Sequence, residues 1–221
     1  MSDIAGIGNK VTEFSTGAVR DIQESKGRCD LMPLYFIGEL CTLYNNTFSE
    51  KHRKSENELI NEIFRNLNTY IYDGDYKLLL DSICNFVTMS LTWCDYVESA
   101  KMYNACLDVS FHYKNGLEKY GERNWEKGIP LHSFIDSGTR HFLKYLAHYE
   151  DERHDLAFIW NLLCCCHTDN FLYNNQELRD LPFNKKESVC DTMDKKIETD
   201  KHTQPKNPNS LGWRNEQYFG G

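Results

Sequence analysis

Leu156 to Cys166 reads LAFIWNLLCCC. Only Asn161 is strongly polar in that run. A helix that is apolar all the way round is buried on every side, so this stretch predicts the centre of a helical bundle. The residues before it, from Glu150 to Asp155, are mostly charged. The spacing predicts one helix over 150–167, with Glu152 and Asp155 as an E-x-x-D pair on one face and His154, Phe158, Asn161 and Cys165 on the adjacent stripe. Carboxylates at the mouth of a buried helix suit a recessed site for Mg²⁺ or Mn²⁺. Acidic residues at a helix start are also favoured by the helix dipole alone.

Working back along the chain, a helix is predicted over about 132–148 behind Pro130. Asp136, Arg140 and Lys144 share one stripe of it at spacing four. His141 falls on the apolar side with Phe134, Gly138 and Tyr145, where it is either a ligand or a hydrogen-bonded core residue. Asp136 and Arg140 equally suit a surface ion pair. Before that, GLEKYGERNWEKG (116–128) reads as a glycine-punctuated loop carrying Lys119, Arg123, Asn124, Trp125 and Lys127. Arg and Lys are phosphate-binding side chains, and Trp125 or Tyr120 either stacks on a base or anchors the loop. The pattern GxxxxGK[ST] is absent, so this is no P-loop.

The class is all-α: a helical bundle with an irregular N-terminal arm and a mobile polar C-terminal tail. Helices are predicted over 34–48, over 76–98, over 99–115, and from a capping box at Ser55–Glu58 onward to Ile71. Asp73-Gly74-Asp75 is a turn, and 170–181 holds a short helical turn. Residues 1–15 are expected to be flexible, 16–181 to form one domain with 34–98 as an elaboration, and 182–221 to be a polar tail. Arg20 and Arg28 lie in the arm and are candidate cations for an anionic ligand.

The chain has 221 residues, 40% hydrophobic and 26% charged, which allows a full core without disulfides or a structural metal. A net charge of −8 argues against direct nucleic-acid binding while permitting a local anion site. Nine cysteines, three of them consecutive and none in a C-x-x-C pair, point to a reducing cytosol rather than a disulfide scaffold or a zinc ribbon. No run approaches the roughly 20 apolar residues of a membrane span, and residues 1–20 lack a signal peptide's apolar stretch. A cytoplasmic protein is expected.

Two stretches together resemble the phage-associated dATP/dGTP diphosphohydrolase N-terminal domain family. They are GAVRD…KGRCDLMP (17–33) and HYKNGLEKYGERNWEKG…FIDSGTRHFLKYL…DERHDLAFIWNLL (112–163). The resemblance implies hydrolysis of purine deoxynucleoside triphosphates to monophosphate and pyrophosphate, in the host cytoplasm if the chain is phage-encoded. A more distant likeness is to the all-α pyrophosphatases of the MazG type, in which E-x-x-D leads an apolar helix and an E-x-x-E pair sits on the helix before. Here that preceding helix offers Asp136, His141 and Lys144 instead. On this reading Glu152, Asp155 and Asp136 bind metal, and His141, His154 and Glu152 are catalytic. Arg123, Asn124, Trp125, Lys127, Arg140, Lys144, Arg20 and Arg28 hold the purine deoxynucleotide. The alternatives are a nucleotide-binding protein without turnover and a helical interaction module. Apolar helix surface favours a homo-oligomer.

Overall fold

A computed structural model describes residues 11–21 and 26–182. Chain contacts divide the protein into Met1–Asn184 and Lys185–Gly221. The second unit lies outside the described residues, as do the expected tail beyond Pro182 and residues 1–10 of the expected flexible N-terminus.

Among the described residues an antiparallel hairpin, β1 (Val11–Glu13) and β2 (Val19–Asp21), precedes six helices. Its turn uses Gly17 at φ +81°, a region that glycine enters at no steric cost. The helices are α1 (Leu34–Lys51), α2 (Glu56–Asp73), α3 (Lys77–Met89), α4 (Lys101–Tyr120), α5 (Leu131–Leu146) and α6 (His154–Phe171). α6 is the hub and packs on α5, α4, α3 and α1, while α2 packs on α3. Leu156 to Cys166 are buried except for half-buried Trp160. Phe158 stacks on Phe142 of α5 with ring centroids 5.1 Å apart, and meets Phe86 of α3 edge-on at 4.9 Å. The three consecutive thiols point into this core, where burial pushes each one's pKa up. The eight described cysteines are all free thiols. No helix among the described residues is long and apolar enough to cross a membrane.

The capping box forms as the sequence predicts. Ser55 N–H donates to Glu58 at 2.8 Å, Glu58 N–H returns to Ser55 Oγ, and Gly74 closes α2 at φ +71°. Three boundaries differ from expectation. The helix predicted over 76–98 stops at Met89, because Ser90 turns extended and its hydroxyl caps a 3-10 turn over Leu91–Trp93. That turn buries Trp93, whose indole N–H donates to Asp108 at 2.9 Å. The helix predicted to end at 115 runs on to Tyr120 and closes at Gly121, φ +89°. Gly116 is therefore helical, and the loop expected over 116–128 shrinks to a short link and a 3-10 turn, Asn124–Lys127. Finally α6 begins at His154 rather than at 150. In the segment expected to hold a short helical turn, 170–181, α6 runs on to Phe171 and 172–181 is a run of turns and bends whose Leu178 carbonyl accepts from Leu131 N–H.

The arm docks on α4. Arg28 N–H donates to the Ser110 carbonyl at 3.1 Å, and a Cβ at Gly27 would lie 1.8 Å from Ser110 Oγ. Leu31, fully buried, follows that contact into the core.

Candidate metal centre and cleft

The link between α5 and α6 places the polar residues. α5 ends in a Schellman motif: His148 takes φ +56°, its N–H donates to Tyr145 O, and Tyr149 N–H reaches back to Lys144 O. This reversal brings Asp151 and Glu152 back beside the last turns of α5. Arg153 then caps α6 by its backbone, and His154 enters the first turn buried, 2% exposed.

His141, Glu152 and His154 converge there. His141 Nδ1 lies 3.0 Å from His154 Nδ1, and Glu152 Oε1 lies 3.4 Å and 3.6 Å from those two nitrogens. Ligands at about 2.1 Å from a first-row ion are spaced roughly 3.0–3.5 Å from one another, so the triangle fits a single divalent cation. The tautomer fits as well. His154 Nε2 donates to Asp151 Oδ1 at 2.8 Å. A carboxylate only accepts, so the proton is on Nε2 and the Nδ1 lone pair faces the centre. Lys144 Nζ, 2.8 Å from Asp151 Oδ2, and then the His154 ring hold the Asp151 carboxyl down to about 2. Burial lowers the His141 pKa against the raising effect of Glu152, which keeps that ring a neutral donor at pH 7.

His141 and Glu152 also line a cleft of about 450 Å³. One wall is the C-terminal half of α4, with His112, Gly116 and Lys119 facing in. Trp125 and Trp160 give it aromatic surface, and Asn124 and Asn161 give it amides. Burial lowers the His112 pKa. Trp125 is buried against Tyr113 and His167, and its indole N–H has no acceptor among the described residues.

Several residues picked from sequence fall elsewhere. Glu152 precedes α6, so the E-x-x-D pair does not form a helical face. Asp155 is buried and held bidentately by Arg153 at 2.9 and 2.7 Å, apart from the cluster. Asp136 is exposed and bonded to Arg140, the surface pair that its spacing allowed. Among the proposed phosphate clamps, Arg123 and Asn124 line the cleft. Arg123, at φ +52°, bonds Glu126 and donates to the Asp30 carbonyl. Lys127 donates to Asn124, Lys144 to Asp151, and Arg28 pairs with Asp30 and lies near Glu122. Arg20 is exposed on β2, opposite Thr12. None of Lys127, Arg140, Lys144, Arg28 or Arg20 lines the cleft. The sequence reading assigned no role to Asp151 or to His112. His112 could have been found: it lies seven residues before Lys119, two helical turns along the same face.

No curated protein and no solved structure matches this chain. The N-terminal stretch 17–33 lies outside the family match. Residues 88–178, which hold all three cluster ligands and every cleft-lining residue but Leu31, match the family described as dATP/dGTP diphosphohydrolase, N-terminal.

Proposed function

We propose that the protein is a metal-dependent nucleotide pyrophosphohydrolase that converts purine deoxynucleoside triphosphates to monophosphate and pyrophosphate. The observation that carries this reading is the His141–Glu152–His154 triangle opening on a cleft with aromatic and cationic walls. The family match over residues 88–178 supplies the substrate class. Two imidazoles with one carboxylate suit Mn²⁺ better than Mg²⁺, which prefers oxygen ligands throughout.

His141, Glu152 and His154 would hold a divalent ion, which would neutralise phosphate charge and lower the pKa of the attacking water. Water adds to the α-phosphorus, the bond from that phosphorus to the bridging oxygen breaks, and pyrophosphate leaves with the electron pair. His112 lines the cleft outside the ligand set, is kept neutral by burial, and is the base placed to take the water's proton. Asp151 keeps His154 in its ligating tautomer. Trp125, whose indole N–H has no acceptor among the described residues, and Asn124 contact base or sugar.

The test is pyrophosphate release from a panel of dNTPs with Mn²⁺ or Mg²⁺, beside Glu152→Ala and His154→Ala. Release that both variants retain at the wild-type rate would sink the proposal. One observation favours a second reading, tight nucleotide binding without turnover: the triangle holds a single carboxylate, since Asp136 and Asp155 are paired elsewhere. Calorimetry followed by chromatography of the recovered nucleotide separates the two, because a binder returns it intact.

A further inference from the structure

We infer that the α4 wall of the cleft seats the ligand's phosphate chain, with Lys119 as its cation and Gly116 as the notch that gives the chain room. The inference rests on the nucleotide reading above and assigns residues that the reading leaves open.

Of the cations first suggested by the sequence, Arg20 lies on β2 and does not line the cleft, and the others are already engaged. Arg28, Arg123, Arg140 and Lys144 each pair with a carboxylate, and Lys127 donates to a side-chain amide. Taking any of these to a phosphate would break an existing bond. Lys119 differs. It lines the cleft, its ammonium lies 5.7 Å from the Tyr120 ring centroid, and it has no carboxylate partner among the described residues. An ammonium on a flexible stem is a mobile point charge suited to a phosphate oxygen. Its use breaks no ion pair among the described residues and loosens only the contact with the Tyr120 ring.

Gly116 lies one turn before Lys119 on the same face. Glycine weakens a helix interior, and of the helical glycines described, Gly38, Gly116 and Gly138, only Gly116 lines the cleft. Gly138 of α5 sits in packing, since a Cβ there would touch Asn161 and Leu162 at 3.5 Å. Gly116 has no such neighbour: a Cβ would meet nothing within 4 Å. The space beside it is the cleft itself. A bare helix surface beside a lysine lets a bulky anion lie close to the wall.

That open space makes the test clean, because a side chain added at Gly116 enters the cleft without disturbing the core. The experiment is calorimetric binding of α,β-methylene-dATP, with Mn²⁺, to the full chain. Lys119→Gln is expected to weaken binding about tenfold, and Lys119→Arg to stay within about threefold of wild type. Inorganic tripolyphosphate should lose affinity in step with the nucleotide. Gly116→Leu should weaken nucleotide binding at least about tenfold while melting no lower than wild type, since leucine is the better helix former. Gly38→Ala, at an exposed α1 position that is equally open, should leave binding unchanged. Wild-type binding with Lys119→Gln or Gly116→Leu within twofold of it would overturn this inference and leave the proposed function standing. A wild-type chain that binds no nucleotide would overturn both.

Discussion

Lys51, Asp81, Asn85 and Asn66 form one polar cluster of this molecule, and His141, Glu152 and His154 form another. The first joins α1, α2 and α3. Lys51, 3% exposed, donates to Asp81 at 2.6 Å and to Asn85, and Asn66 donates to the other Asp81 oxygen at 2.9 Å. Donors meet acceptors, charges cancel, and nothing is left over for a ligand. In the second cluster three groups able to offer lone pairs face one another, and His154 Nε2 donates outward to Asp151, which also accepts from Lys144. The two facing Nδ1 atoms of neutral rings share at most one proton, so acceptor capacity is left over there. The difference teaches how to tell a structural polar network from a site: by whether its hydrogen-bond capacity closes on itself, not by burial or by the number of charged residues.

The contrast can be broken by substitution. Glu152→Ala should lower pyrophosphate release on the order of a thousandfold, about 4 kcal/mol of barrier. Its melting temperature should shift by less than about 2 °C. A large loss of stability instead would make Glu152 structural. Lys51→Met should do the reverse. It leaves Asp81 uncompensated, which costs on the order of 3 kcal/mol by denaturant titration, while kcat stays at the wild-type value in the folded fraction. An unaltered unfolding midpoint would refute the closed-network reading. Asp151→Asn, which loosens the hold on the His154 tautomer, should weaken Mn²⁺ binding by about 10–100-fold in a chelator competition. Asp151→Glu should recover part of that loss, and full affinity in Asp151→Asn would remove the residue from the site.

The smallest effect is on pH. Burial holds the pKa of His112 and His167 below the ordinary imidazole value. The unfolded chain takes up protons at these rings from about pH 6.5 downward, while the folded chain resists. Stability is therefore complete above pH 6.5 and declines as pH falls from there toward the folded values. A melting temperature that rose between pH 7 and 5.5 would contradict this. Asp151 acts lower still. Its stabilising contribution is full above about 4 and disappears as pH falls through about 2.

The hub was legible because nothing competes with LAFIWNLLCCC as a buried helix, and α2 because both its ends carry local chemistry, Ser55–Glu58 and Gly74. The site was half legible. His141, His154 and Glu152 were picked by type and place, yet Glu152 was put on a helix it precedes. Acidic residues fit a first turn and a loop equally well, and what ends α5 there is His148 in a left-handed conformation, which composition does not signal. The pairing of Asp155 and Asp136 with arginines was not legible for a related reason. A carboxylate two residues from Arg153, or four from Arg140, has a partner that only the folded geometry selects. Lys119 was passed over because Gly116 read as a loop residue.

Two corners of the candidate metal triangle, His154 and Glu152, belong to different parts of the stability spectrum. His154 is rooted in α6, whose amides are walled in by four other helices. Their hydrogen exchange should wait for global unfolding. Glu152 hangs from an exposed reversal of seven residues, 147–153, which can open without disturbing the core. A cation shared between them ties the fastest-exchanging segment of this region to its slowest, so ligand occupancy would register as slowed exchange in the reversal and almost none in the helix.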